Sequence, residues 1–98
     1  MQIHDQMEDG KLTLALEGRL DTVTAPELQE TLKKLLPAAD SLVFDLEKLD
    51  YLSSAGLRVL LYARQTMEGR GPMVIRHVNE LVAEVFDVTG FSSVLNIE

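Results

Sequence analysis

The spacing of the apolar residues changes twice between Leu42 and Val78, and this limits the possible folds more than any other feature. The run LVFDL, Leu42–Leu46, is short and apolar, which is typical of a buried strand. A helical spacing follows and ends at glycines and a proline, and Met73–Val78 is again strand-like. This order predicts two parallel strands joined by a right-handed crossover helix. The apolar positions of that helix are Leu57, Leu60, Leu61 and Met67.

A hairpin is predicted at the start of the chain. Lys11–Glu17 alternates apolar and polar residues, which is the period of a half-buried strand. The dipeptide Asp9-Gly10 before it supplies the positive backbone angles that a two-residue turn requires. We therefore expect a first strand within Gln2–Met7.

A helix is predicted after a loop over Gly18–Val23. Thr24 and Glu27 have the spacing of a capping box, so we expect this helix to begin at about Ala25. Its leucines follow at helical spacing until Pro37 ends the run.

A third helix is predicted near the C-terminus, with Asn79 as its cap and Thr89-Gly90 at its end. Val94–Ile97 is expected to add a short last strand. The positions expected to point inward are Leu81, Val82, Val85 and Phe86. Together the elements predict an α/β fold, a mixed sheet of about four to five strands with three or more helices packed on it.

Composition excludes several classes of function. With 98 residues, 46% of them hydrophobic, the chain has room for one globular domain, residues 1–98. Its net charge of −7 disfavours nucleic acid and anionic membranes as partners. There is no cysteine for disulfides or thiolate chemistry. The segment MQIHDQMEDG has no signal-peptide pattern, and no apolar run reaches membrane-spanning length, so we expect a cytoplasmic protein.

Two adjacent serines begin the central helix in the stretch YLSSAGLRVLL. Either Ser53 or Ser54 can cap the helix, because a serine hydroxyl accepts a hydrogen bond from an unpaired amide. The same place also suits phosphorylation, since the free amides of a helix start tolerate a phosphate. Arg58, in the first turn, either is an ordinary exposed residue or faces a partner or a phosphate.

Catalysis is the competing interpretation of the serines. The segment around Ser54 lacks the first glycine of a nucleophile elbow. The chain has two histidines, His4 and His77, and neither is expected beside Ser54. We therefore expect no catalytic residue.

Three carboxylates in one segment, Asp45, Glu47 and Asp50, suggest a metal or an acid–base pair. Their spacing lacks the glycine and the ligand order of a calcium loop, and no histidine is expected to join them. A solvated loop explains them, so we expect neither a metal nor a cofactor.

Longer motifs resemble a known family. The segments GRLDTVTAPEL, LVFDLEKLDYLSSAGLRVLL and VFDVTGF are spread from residue 18 to residue 91. Together they resemble a STAS domain, in particular a bacterial anti-sigma factor antagonist. The resemblance implies a single STAS-like domain that binds an anti-sigma factor and so releases a sigma factor. It also implies that the anti-sigma factor is a serine kinase of the antagonist, and that a PP2C-type phosphatase reverses the modification.

The resemblance also implies which residues act. Aligned through Gly56 and Leu57, the family's phosphorylated serine falls on Ser54. Ser53 stands where well-known members carry aspartate, which makes it the alternative acceptor, and Ala55 stands where they carry serine or threonine. The residues implied to form the partner surface are Asp21, Thr22, Ser53, Ser54, Ala55, Gly56 and Arg58.

Three hypotheses remain at this point. The leading one is a binding protein that phosphorylation at Ser54 switches off. The second is a constitutive scaffold or ligand-sensing STAS module, in which the serines only cap the helix. The third is a serine hydrolase.

Overall fold

The computed structural model describes residues 1–98 as a four-stranded mixed sheet with three helices. The sheet order is β1-β2-β3-β4, in which β1 is antiparallel to β2 and the other neighbours are parallel. This confirms the predicted fold class and the predicted pair of parallel strands joined by a helix. The elements are β1 Gln2–Glu8, β2 Lys11–Leu20, α1 Ala25–Leu35, β3 Ser41–Leu52, α2 Ser54–Met67, β4 Met73–Arg76 and α3 Glu80–Thr89.

The helices all pack on one face of the sheet. Alternate residues of β2 and β3 point to this face, and they share a single core of 23 buried residues with all three helices. Phe44 of β3 and Phe86 of α3 are its largest fully buried side chains. The opposite face of the sheet has no helix and carries mainly polar side chains.

The predicted hairpin is confirmed, with positive φ at both turn residues, 51° at Asp9 and 81° at Gly10. The ends of the next two strands were predicted wrongly, because Gly18–Leu20 is strand rather than loop and β3 continues to Leu52. Two register shifts between β2 and β3 interrupt the alternation on which the prediction depended.

The last third of the chain departs from the prediction in three places. Asn79 caps α3 as expected, since its Oδ1 accepts from the amide of Val82 at 2.9 Å. Leu81, however, is 53% exposed, because the buried stripe of α3 follows Val82 and Phe86. The structure has no last strand; Ile97 forms one isolated bridge to β4. β4 itself ends at Arg76, before a left-handed residue that turns the chain.

Candidate functional site

The two serines have different structural roles at the start of α2. Ser53 is the capping residue: its Oγ accepts from the amide of Gly56 at 3.4 Å, and its carbonyl accepts from Leu57 at 3.0 Å. The amide of Ser53 also donates to the carbonyl of Leu20 at 2.9 Å, which ties the segment to the end of β2. Ser54 is the first helical residue and is exposed. Its hydroxyl is therefore not needed for the cap.

Gly56 allows α2 to begin close against the sheet. A Cβ at this position would lie 2.6 Å from Cγ of Leu20 and 2.7 Å from Cδ1 of Leu52, which is closer than carbon atoms can approach. Both leucines lie at the ends of parallel strands. The glycine thus fixes where Ser54 emerges, above the carboxyl ends of β2 and β3.

The loop between β2 and α1 is held by Asp21 rather than by a capping box. One oxygen of Asp21 accepts from the amides of Val23 and Thr24 at 3.0 and 3.1 Å. The Thr24 hydroxyl is turned back, accepting from the amide of Asp21 and donating to the carbonyl of Arg19. The predicted box of Thr24 with Glu27 is therefore wrong, because the threonine side chain makes no cap bond to α1.

The same contacts favour the ionised form of Asp21. The hydrogen bond from the Thr24 amide is the main cause that lowers the pKa of Asp21 below its ordinary value of 3.8. Arg19, 3.7 Å from the other carboxylate oxygen, acts in the same direction. Near neutral pH the loop is thus organised around a negative charge.

Three of the residues implied to form the partner surface line one shallow groove between the starts of α1 and α2. Thr22, Ala55 and Arg58 surround this hollow of about 220 Å³. The remaining walls come from Ala25, Pro26, Gln29 and Val59. The structure thus brings together two segments that lie some thirty residues apart in the sequence, as expected from the parallel pairing of β2 with β3.

An aromatic–cation pair at the ends of β2 and β3 was not predicted. The guanidinium of Arg19 lies 4.1 Å from the centre of the Tyr51 ring, across the paired ends of β2 and β3. Val23, in the loop that follows β2, is 84% exposed. The sequence contains both residues, Arg19 in GRLDTV and Tyr51 at the start of YLSSAGL. Their pairing was not predicted because both segments were predicted to be loops.

The carboxylates of β3 are not a solvated loop. Nδ1 of His77 lies 3.1 Å from Asp45 and 3.6 Å from Glu47, so the expectation that no histidine joins them is wrong. Asp50 is exposed and is not part of this cluster. The other histidine, His4, is paired with a glutamate of β2 at 3.2 Å.

Each of these histidines thus has a carboxylate partner on the sheet, and neither contacts the serines.

None of the three helices combines the length and hydrophobicity needed to cross a bilayer.

Comparison with known proteins identifies the family. The family model described as "Mlab, STAS domain" matches residues 3–96. The chain belongs to the STAS domain family. A Bordetella bronchiseptica protein named as an anti-sigma factor antagonist, BtrV, is 37% identical over 91 residues, which cover 91% of this chain and 78% of BtrV.

Solved structures confirm the STAS fold. An anti-sigma factor antagonist from Mycobacterium paratuberculosis superposes with a TM-score of 0.89 at 21% identity, over 98% of this chain and 83% of the other. The antagonist SpoIIAA in its unphosphorylated form superposes with a TM-score of 0.85 at 17% identity, over 99% of this chain and 88% of SpoIIAA. The Bacillus SpoIIAA in its phosphorylated form superposes with a TM-score of 0.77 at 16% identity, over 99% of this chain and 91% of SpoIIAA.

Proposed function

We propose that this STAS domain is an anti-sigma factor antagonist that phosphorylation of Ser54 switches off. Without the phosphate it binds an anti-sigma factor that has serine kinase activity, and a sigma factor is released. The kinase then modifies Ser54 and dissociates, and a PP2C-type phosphatase restores the binding form. The protein acts in the cytoplasm, by binding and not by catalysis, and needs no cofactor.

The observation that carries this proposal is the division of roles between the serines. Ser53 caps α2, whereas Ser54 is exposed and has no part in the cap. Because the Gly56 and Leu57 amides already bond to Ser53, those of Ser54 and Ala55 are the first-turn amides left to face a phosphate. Phosphorylation of Ser54 is thus compatible with the folded domain.

The groove and the ordered loop beside Ser54 support the binding half of the proposal. Thr22 and Arg58 border the groove, and the Asp21 hydrogen bonds order the loop before any partner arrives, which lowers the entropic cost of binding. Val23, which follows Thr22 in this loop, is exposed and offers apolar contact area. The surface therefore combines apolar and charged groups, as protein interfaces commonly do.

A phosphate on Ser54 would oppose this contact electrostatically. It adds a charge of about −1.5 to −2 at a place where the partner must pack closely and exclude water. A loss of about 4 kcal/mol is enough to weaken binding roughly a thousandfold. The switch needs no conformational change elsewhere.

A pull-down with unmodified protein, followed by a kinase assay on the bound protein, tests the proposal. We expect capture of an anti-sigma factor that phosphorylates the chain in the presence of ATP, with the phosphate mapping to Ser54. Ser54→Ala should bind and resist phosphorylation, and Ser54→Asp should bind weakly. Phosphate found on Ser53 alone would show that the other serine is the acceptor.

Binding by the Ser54 variants and a covalent-labelling experiment decide between the alternatives. Wild type, Ser54→Ala and Ser54→Asp with equal affinity would favour a constitutive scaffold or ligand-sensing module. Covalent labelling of Ser54 by an acylating or phosphonylating probe would favour a hydrolase. We expect no labelling of the folded protein.

A further inference from the structure

Three metal-ligating side chains converge on the sheet face opposite the helices. Nδ1 of His77 lies 3.1 Å from Oδ2 of Asp45 and 3.6 Å from Oε2 of Glu47, and all three ligand atoms lie within 4.8 Å of one another. Neighbouring ligand atoms around a zinc ion lie roughly 3 to 3.6 Å apart, because the bonds to the ion are about 2.0–2.2 Å long. Both separations from His77 are already close to this range.

The backbone sets the orientation of these side chains. Oδ1 of Asp45 accepts from the amide of Glu47 at 3.1 Å, which leaves Oδ2 directed at His77. Glu47 lies in a register shift of β3, where a bulge changes the direction of a side chain. His77 follows β4 with a φ of 59°, and this turn brings its ring to the carboxylates of the neighbouring strand.

The imidazole distinguishes the cluster from an ordinary acidic patch. One nitrogen and two carboxylate oxygens form a ligand set that suits zinc, nickel or cobalt, whereas calcium and magnesium prefer oxygen alone. The two carboxylates also balance the charge of a divalent ion. The net charge of −7 further favours cations near the surface.

A hollow beside the cluster offers space for additional ligands. His4, Ala15 and Asp45 lie in one row across three strands, and the small side chain of Ala15 leaves a hollow of about 220 Å³ between the two larger ones. Glu47 lines this hollow as well, together with Leu16, Glu17 and Lys48. Water molecules can therefore complete the coordination of an ion held by three protein ligands.

We propose that Asp45, Glu47 and His77 bind one divalent transition-metal ion of the zinc class. The ion would join the bulge of β3 to the residue that links β4 with α3. This site lies on the face of the sheet without helices and does not depend on the proposed function at Ser54.

Isothermal titration of the full chain without an affinity tag, using zinc chloride, tests this site. We expect one ion per chain. Loss of an outer-shell partner alone weakens metal binding by roughly 10–100-fold, so His77→Gly and Asp45→Asn should each weaken it at least tenfold. Glycine adopts positive φ readily, so His77→Gly should keep the fold, and a thermal melt without metal checks this.

The second histidine provides a matched control. His4 lies on the same face at the other end of the hollow, is paired with Glu17 at 3.2 Å and is not one of the three converging ligands, so His4→Ala should leave the zinc affinity unchanged. Zinc should also perturb the NMR signals of the His77 ring, and magnesium should not. Absence of zinc binding, affinity retained in His77→Gly, or equal losses in the His77 and His4 variants would each overturn the proposed site.

Discussion

Replacing the two serines one at a time should separate the cap from the proposed switch. The Ser53 cap bond is long, 3.4 Å between Oγ and the Gly56 nitrogen, so its loss should fall at the low end of the 0.5–2 kcal/mol typical of capping residues. We expect Ser53→Ala to lower the free energy of unfolding by about 0.5–1 kcal/mol. In a domain of this size that corresponds to a decrease in Tm of roughly 2–8 °C.

Ser54→Ala should behave differently, because Ser54 is the first residue of the helix and makes no cap bond. Alanine has the higher helix propensity, by up to roughly 0.5 kcal/mol, so the variant should be as stable as wild type or slightly more stable. Equilibrium urea denaturation followed by far-UV circular dichroism measures both variants. A loss in Ser54→Ala equal to that in Ser53→Ala would refute the assignment of the cap.

Ser53→Asp extends the same test to the residue that stands here in well-known members of the family. Aspartate caps a helix about as well as serine, and its charge adds about 0.3–1 kcal/mol near a helix start at low ionic strength. We expect a stability equal to or above that of wild type, with a gain that decreases as salt is added. A marked loss would show that the region around Ser53 does not tolerate a negative charge.

Other predictions concern the cap of α3, the loop after β2 and the packing of α2 on the sheet. Asn79→Ala should lower the free energy of unfolding by about 1.5–3 kcal/mol, since it removes the cap of α3 and the 2.7 Å hydrogen bond to the Leu49 carbonyl. Asn79→Ser should keep the cap and lose only the bond to Leu49, and urea denaturation compares the two variants. The lowered pKa of Asp21 predicts a stabilisation of the folded state that is present above pH 3.8 and is lost as the pH falls through the folded-state pKa. The free energies of unfolding of wild type and Asp21→Asn should therefore differ near neutral pH and become equal in acid. Gly56→Ala should lower the free energy of unfolding by about 1–3 kcal/mol, because the added Cβ clashes with Leu20. The higher helix propensity of alanine offsets part of this loss, and thermal melts measure the net effect.

Local periodicity was sufficient to predict all four strands and all three helices, but it also predicted a strand over Val94–Ile97 that the structure lacks. The Asp9-Gly10 turn and the strand–helix–strand unit depend on residues adjacent in sequence, and both are confirmed. The ends of β2 and β3 were missed because bulges interrupt the alternation that identifies strands. The capping box at Thr24 failed since its hydroxyl is occupied by Arg19 and Asp21, a choice that local spacing does not reveal.

The site could be predicted only in part. The resemblance pointed to segments around Thr22 and Arg58, and the structure gives them a common groove. The pairing of His77 with Asp45 depends on the register of β3 with β4 and on one left-handed residue, so spacing along the chain could not indicate it. It is a contact between residues that are distant in sequence.

The most direct test of the switch is the affinity of the cognate anti-sigma factor for chains carrying phosphoserine at one defined position. Phosphoserine at Ser54 should weaken binding by roughly a thousandfold relative to the unmodified chain, which is about 4 kcal/mol. Circular dichroism should show that the modified domain remains folded. Equal affinity of the unmodified and Ser54-phosphorylated chains, both folded, would contradict the proposed phosphorylation switch.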